Sequence, residues 1–519
     1  MGLELIRDIL RFEQVVGEGQ SQALVNRDII VPDIKPDIAR ILSVEGKVNI
    51  TSKDVEQDRI AVEGDVNLQI LYAANGEPQP IYSMNQSANF SHYIDVPNAM
   101  PKMDADIKCD IEHIDFDRLN GRKVNMRCVL NLKGKVTDIL SLDAVKEVSG
   151  VSDIQLLRDT IVTDEIVGNN TAQTVIKGSI NIPQSMPHAD ELLKYNATIH
   201  SKDVKLEDDR VVITGKVFVP VLYSSKEENP DIFKVEEDME FTHTLEMSGV
   251  TPDMLCYVDY RIEDVYAELK ENDEEEKRQV DVEVVVNMRA TVSQKKEFPA
   301  IIDAYAPSIE IECEKKNIAM DIFYARDSAQ AVVKESVSLP ADMPGIDKVY
   351  DMVCIPTVTD YKLVDDKVVI EGVLVCDVIY HTRNEENIVN SFQDEIPFRT
   401  SVIIPGCNSA MKPEVEVDIE SMDGTMLTKN EVELRIILNC YVKLYNKVFK
   451  ELITKIDQSE AEIQAHKASI TIYVVQNKDT LWSIAKRYST TVEDLVRVNE
   501  IVDADKLMPG MKLIIPKRA

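Results

Sequence analysis

The chain has 519 residues, room for three or four domains of ordinary size. Its 58 Lys and Arg against 91 Asp and Glu leave a net charge of −33, which excludes an ordinary nucleic-acid binder, because phosphates call for a basic surface. No run of 18 apolar residues occurs and "MGLELIRDILRFEQ" has no apolar signal core, so the expectation is a cytoplasmic protein without a membrane-spanning helix.

In chain order, "ELIRD" at 4–8 comes first and is answered by "QLLRD" at 155–159. Gln22 follows, then the proline pair of "VPDIKP", Pro32 and Pro36. The stretch "DRIAVEGDVNLQILY" (58–72) alternates apolar and polar residues around Gly64 and closes on Tyr72, the period of a half-buried strand. Gln173, Pro183, Pro187, Gly215 and Tyr223 repeat these markers 151 residues on. Gln330, Pro340, Pro344, Gly372 and Tyr380 repeat them again after a further 157. A second strand pattern, "KVNMRCVLNL" (123–132), returns as "QVDVEVVVNM" (279–288) and "EVELRIILNC" (431–440), aligned on Asn131, Asn287 and Asn439 with offsets of 156 and 152. Copy two has therefore gained five residues between its tyrosine and this strand, and copy three has lost them again, as loops allow and strands do not. "KENDEEEKRQ" (270–279) falls there and reads as a solvated hairpin connection.

These patterns predict a mainly β chain of three repeated antiparallel, sandwich-like domains at 4–149, 155–305 and 312–460. A repeat of about 150 residues can bury its own core, so the copies are expected as beads in series. Helical periodicity is confined to short pieces, 138–147 and 448–457. The paired prolines read as a turn that each copy of the fold requires. The eight cysteines form no CxxC. Cys128, Cys376 and Cys440 occupy positions that the other copies fill with apolar residues, so they are expected to be buried, reduced core thiols.

From 472 the text changes to "IYVVQNKDTLWSIAKRYSTTVEDLVRVNEIVDADKLMPGMKLIIPKRA". A short strand leads into a helix capped by Asp479 or Thr480, with Leu481, Ile484, Ala485 and Tyr488 on one face. Thr490 with Glu493 fits a capping box for a second helix, and "MPGMKLIIP" gives a turn and a closing strand. The order is βααβ over 472–517. "YVV", "DTLWSIAKRY", "VEDLVRVN" and "MPGMKLIIP" resemble a LysM domain. That resemblance implies a groove lined by Asn477, Lys478, Asp479, Thr480, Leu481, Ile501, Met508 and Pro509, with Trp482 as an anchor or as edge packing. Lys478 and Ser489 stand where the family more often has glycine. Residues 470–519 carry eight basic and six acidic side chains, so the rest of the chain carries −35 (−33 minus +2).

Repeated β modules ahead of a C-terminal LysM, with "VPDIKPDIARIL" and "VEGDVNLQILYAA", are similar to the SPOCS-domain spore morphogenetic proteins of the SipL type. The resemblance implies a non-enzymatic assembly factor in the mother cell, at the forespore surface. Its implied partners are the coat basement-layer ATPase (stage IV sporulation protein A), docked by LysM, and other coat proteins. The alternative is a wall- or cortex-associated protein whose LysM binds peptidoglycan or N-acetylglucosamine polymers. No nucleotide-binding, zinc-protease or nucleophile-elbow motif occurs, and no catalytic residue, metal or cofactor is assigned.

Overall fold

The computed structural model describes residues 3–516 apart from 77–78, 227–230, 272–275, 383–387, 460–470, 502 and 504–506. The first repeat contains β1 (Glu4–Ile30), β2 (Ile38–Glu56), β3 (Arg59–Ala74), β4 (Ile81–Asp95), β5 (Asp104–Asn120) and β6 (Lys123–Ser149). The second contains β7 (Gln155–Asn181), β8 (Glu191–Tyr195), β9 (Thr198–Glu207), β10 (Arg210–Ser225), β11 (Asp231–Glu246), β12 (Leu255–Glu271) and β13 (Lys277–Tyr305). The third contains β14 (Ile311–Ser338), β15 (Ile346–Val364), β16 (Lys367–Thr382), β17 (Val389–Ile403), β18 (Lys412–Thr428) and β19 (Glu431–Gln458). Each repeat is two antiparallel sheets, β1-β6-β5 over β2-β3-β4 in the first, closed on one apolar core as a sandwich.

The recurring residues meet one another. Tyr72, Tyr223 and Tyr380 are fully buried, and their hydroxyls donate to the carbonyls of Pro36, Pro187 and Pro344 at 3.1, 3.0 and 3.0 Å. The proline turn thus supplies the acceptor that a buried phenol needs. Asp58, Asp209 and Asp366 turn the β2–β3 hairpin and its equivalents at φ of 60°, 59° and 64°. Their carboxylates accept the amides of Asn98, Gly249 and Gly406 at 2.8, 2.6 and 2.6 Å. The three glycines lie under the rings of Phe90, Phe241 and Phe398. A Cβ on Gly372 would stand 2.4 Å from Phe398 and 2.5 Å from the Thr357 carbonyl, whereas at Gly215 the nearest carbonyl is 3.6 Å away. Gly372→Ala is therefore expected to cost about 1–3 kcal/mol and Gly215→Ala less, an order that urea unfolding checks.

The repeats are not beads in series. Leu42, Leu193 and Tyr350 occupy one repeat position, Leu71, Leu222 and Ile379 a second, and Ile81, Ile232 and Val389 a third, and all nine pack into one cluster. β4 touches β8, β11 touches β15, and β17 returns to β2, so the contacts close a ring with an approximate threefold axis. Polar residues mark that axis. Ser43, Lys194 and Asp351 are equivalent and buried, and Lys194 pairs with Glu45 and, at 2.6 Å, with Asp351.

β1, β6, β7, β13, β14 and β19 run 27 to 29 residues, far beyond the usual strand of about 3–10. One half of each belongs to a sandwich. The other halves form three two-stranded ribbons whose inner faces meet as a stem, with Leu10, Ile161 and Ile318, and Ala144, Ala300 and Leu452, at equivalent positions. The 138–147 and 448–457 pieces expected to be helical lie in this stem and are strand. A bulge in each ribbon makes two successive residues face inward, Ala144 with Val145 and Leu452 with Ile453. Burial then skips to Val148 or Ile456, a spacing that imitates a helix.

β12 and β13 pair as the expected hairpin; residues 272–275 of the expected connection lie outside the described residues. Cys128 and Cys440 are buried and free, as expected. Cys376 is not a free thiol. It faces Cys354 directly across β15 and β16, with Cα atoms 4.1 Å apart, and the two are joined by a disulfide. Comparing Cys376 with Leu68 and Val219 concealed this, because the position of Cys354 is a glycine, Gly46, in the first copy.

Candidate functional site: the LysM loops and their seat on the stem

The C-terminal unit is β20 (Thr471–Val474), α1 (Leu481–Arg487), α2 (Val492–Val498) and β21 (Lys512–Ile515). Thr480 caps α1 in a reciprocal box with Ser483, at 3.0 and 3.1 Å. The cap of α2 is Thr491, whose hydroxyl accepts the Asp494 amide at 3.1 Å. The expected pair of Thr490 with Glu493 is thus one residue early: Thr490 is buried behind the cap, and its carbonyl is used elsewhere. Leu481, Ile484, Ala485, Leu495 and Leu513 form the small core.

Two loops are brought side by side. The Val475 amide donates to the Met511 carbonyl at 2.9 Å, and the Gly510 amide donates to the Val475 carbonyl at 2.8 Å. Asn477, Lys478, Met508 and Pro509 are exposed there, Met508 to 68%. Asp479 shapes the first loop, accepting from the Gln476 amide at 2.8 Å and the Tyr473 hydroxyl at 2.5 Å. Those bonds hold its carboxyl below the usual 3.8. Leu481 points into the core and Ile501 packs against it. Residues 502 and 504–506 of the expected 501–509 loop lie outside the described residues.

Lys478 and Ser489 both have left-handed backbone, at φ of 71° and 51°. That conformation explains why glycine suits both positions. Lys478→Gly and Ser489→Gly are each expected to raise the stability of this unit by up to about 1 kcal/mol, read as thermal unfolding followed by Trp482 fluorescence.

Trp482 does not stand free. Its indole N–H donates to Asp303 at 2.8 Å, and its ring meets Tyr305 edge-on with centroids 4.9 Å apart. Lys486, one turn on, reaches the other Asp303 oxygen at 2.7 Å, and the Tyr305 hydroxyl donates to the Thr490 carbonyl at 2.9 Å. Lys315 adds a third cationic or N–H contact at 3.4 Å. Burial alone would raise the Asp303 carboxyl, but the bonds from Lys486 and Trp482 and the two lysine charges outweigh it and hold it below 3.8. Asp303 and Tyr305 end β13, so the small unit is seated at the stem on the second repeat. The equivalent positions are Glu147 and Ser149 in the first repeat and Lys455 and Asp457 in the third, neither of which offers the same pair. Sequence reasoning missed this seat. The one available signal was an Asp and a Tyr at repeat positions where the copies disagree.

Among the described residues no group of His, Cys, Asp and Glu is placed to hold a metal ion, and no helix is long and apolar enough to cross a membrane.

Residues 37–119, 188–270 and 345–427 match the SipL, SPOCS domain model, and residues 473–516 match the LysM domain model. The chain belongs to the SipL-type family of SPOCS repeats with a C-terminal LysM. The three SPOCS matches begin 151 and 157 residues apart, the offsets of the repeat itself. Each SPOCS match spans β2–β5 or its equivalents and stops short of the long flanking strands that build the stem. Among curated proteins, the chain is similar to the spore coat assembly protein ExsA of Bacillus cereus, 41% identical over 49 residues, which are 9% of this chain and 8% of that protein. It is similar to SpoIVD-associated factor A of Bacillus subtilis (strain 168), 41% identical over 46 residues, 9% of this chain and 12% of that protein. It also resembles the cortical fragment-lytic enzyme of the same strain, 47% identical over 45 residues, 9% of this chain and 10% of that protein. The matches therefore span about a tenth of each relative, a length close to that of the LysM domain alone. No solved structure matches the chain.

Proposed function

We propose that the chain is a non-enzymatic scaffold of spore-coat assembly in the mother cell, working at the forespore surface, and that its LysM docks on the coat basement-layer ATPase, stage IV sporulation protein A. The observation that carries this reading is the division of the LysM surface. One side, Trp482 and Lys486, is held by Asp303 and Tyr305. The loop pair presents Asn477, Lys478, Met508 and Pro509 to solvent, a mixture of apolar and cationic groups that suits a protein surface. Asp479, Thr480, Leu481 and Ile501 shape the loops, and Trp482 fixes how they are aimed. The left-handed Lys478 puts a side chain where glycine would leave room for a sugar ring. The names of the coat-assembly and SpoIVD-associated relatives support the setting.

The test titrates the full chain against the coat ATPase and against N-acetylglucosamine oligomers. Micromolar ATPase binding that Met508→Asp weakens about tenfold or more is the expected result. Glycan binding with no ATPase binding would replace this reading with the wall- or cortex-associated one.

A further inference from the structure

Nearly every residue type shared by all three repeats has a structural reason: prolines with tyrosines, glycines with phenylalanines, aspartates at turns. One set does not. Gln22 donates to Glu112 at 2.6 Å, Gln173 to Glu263 at 2.5 Å, and Gln330 to Glu420 at 2.6 Å. Each glutamine sits opposite an asparagine in register: Asn131, Asn287 and Asn439. Each glutamate is the residue skipped by a β-bulge, at Ile111/His113, Ile262/Asp264 and Ile419/Ser421. Bulges re-aim a side chain, but an exposed bulge does not require a glutamate, let alone the same one three times.

Beside each trio an aliphatic side chain faces water in every copy: Leu24, Val175 and Val332 are 67%, 47% and 59% exposed. They lie across from Val129, Val285 and Ile437, which are half-buried on the same outer face. Each repeat thus displays an aliphatic pair next to a carboxylate that an amide already orients. An arginine or lysine has the complementary form, an apolar stem with a charged head.

We propose that these three outer faces are binding sites for basic side chains of a protein partner, which the ring engages at up to three points. The net charge of −33 makes a basic partner the complementary one. Three sites on one rigid ring raise avidity without any single strong contact. The sites are unequal. Lys47 of the first repeat lies close enough to Glu263 and Asp264 to act on them electrostatically, so the second site is the weakest.

The probe is the blocked dipeptide acetyl-Leu-Arg-amide, titrated into the full chain with the methyl groups of Leu24, Val175 and Val332 followed by NMR. The expected result is saturable shifts of those methyls. They should weaken about tenfold in the triple variant Glu112→Gln, Glu263→Gln, Glu420→Gln and stay unchanged in the charge-matched control Glu63→Gln, Glu237→Gln, Glu395→Gln. Leu24 and Val332 should respond at lower peptide concentration than Val175. Absent shifts, or equal weakening in both triples, would overturn the proposal. Because the probe carries no coat protein and no glycan, either result is independent of what LysM binds.

Discussion

Lys194→Ala should destabilise the chain by about 3–5 kcal/mol, a large fraction of the ordinary stability of a domain. Lys194 is 7% exposed on the threefold axis, between Glu45 and Asp351. Burial by itself would lower its pKa, but the two carboxylates more than compensate and raise it, so the ammonium stays charged. Removing it leaves two carboxylates in a low-dielectric centre, with Lys234 reaching Asp351 only at 3.3 Å. The companion variant Lys194→Met with Glu45→Gln and Asp351→Asn removes the charges together and should recover most of the loss, because a buried ion pair is weak evidence for net stability. Urea unfolding followed by circular dichroism measures both. If Lys194→Ala stays within about 1 kcal/mol of the parent, the axial charges do not hold the ring.

The second large effect is release of the LysM unit. Asp303→Asn removes a charged acceptor from Trp482 and Lys486 and an ion pair from Lys315. Bonds to a charged group are worth about 1.5–3 kcal/mol, so the equilibrium constant for seating should fall by a factor of about 10–100. Trp482 is the chain's one tryptophan, so its emission should shift to the red and become accessible to quencher, while the LysM core stays folded. The same contact fixes a pH dependence. The Asp303 carboxyl is depressed below 3.8, so its contribution is present above that value and is lost as pH falls through the depressed one. Parent fluorescence should change below about pH 4, and the Asp303→Asn variant should lack that transition. An unchanged emission maximum in Asp303→Asn would show that the seat does not depend on this carboxylate.

The repeats were legible because their markers serve local contacts that each copy must make for itself. A proline carbonyl must face a tyrosine, and a glycine must lie under a phenylalanine. Ring closure was not legible. Leu42, Leu193 and Tyr350 look like ordinary core residues of separate domains, and nothing in their spacing says that they share one cluster. The stem misled the reading of 138–147 and 448–457 because a bulge shifts the two-residue period by one. At the LysM end, the two helices followed from apolar spacing and capping residues, with the second cap one residue early, whereas the adjoining loops followed only from the family resemblance. The role of Trp482 did not, since its partners lie about 180 residues away at the end of a strand in another repeat.

Closure of the ring also sets the timetable of synthesis. Arg40 of the first repeat donates to Asn390 of the third, 350 residues later, and β17 is the strand that returns to β2. A ribosome that has finished two repeats has therefore released a chain whose shared core lacks a third of its wall, with Leu42, Leu71, Leu193 and Leu222 facing an unfilled place. Contacts so distant in sequence form late and slowly, and apolar surface waiting for them is a hazard of aggregation. The nascent protein should accordingly depend on chaperones until the β17 strand emerges, and a truncation after the second repeat should be far less soluble than the whole chain.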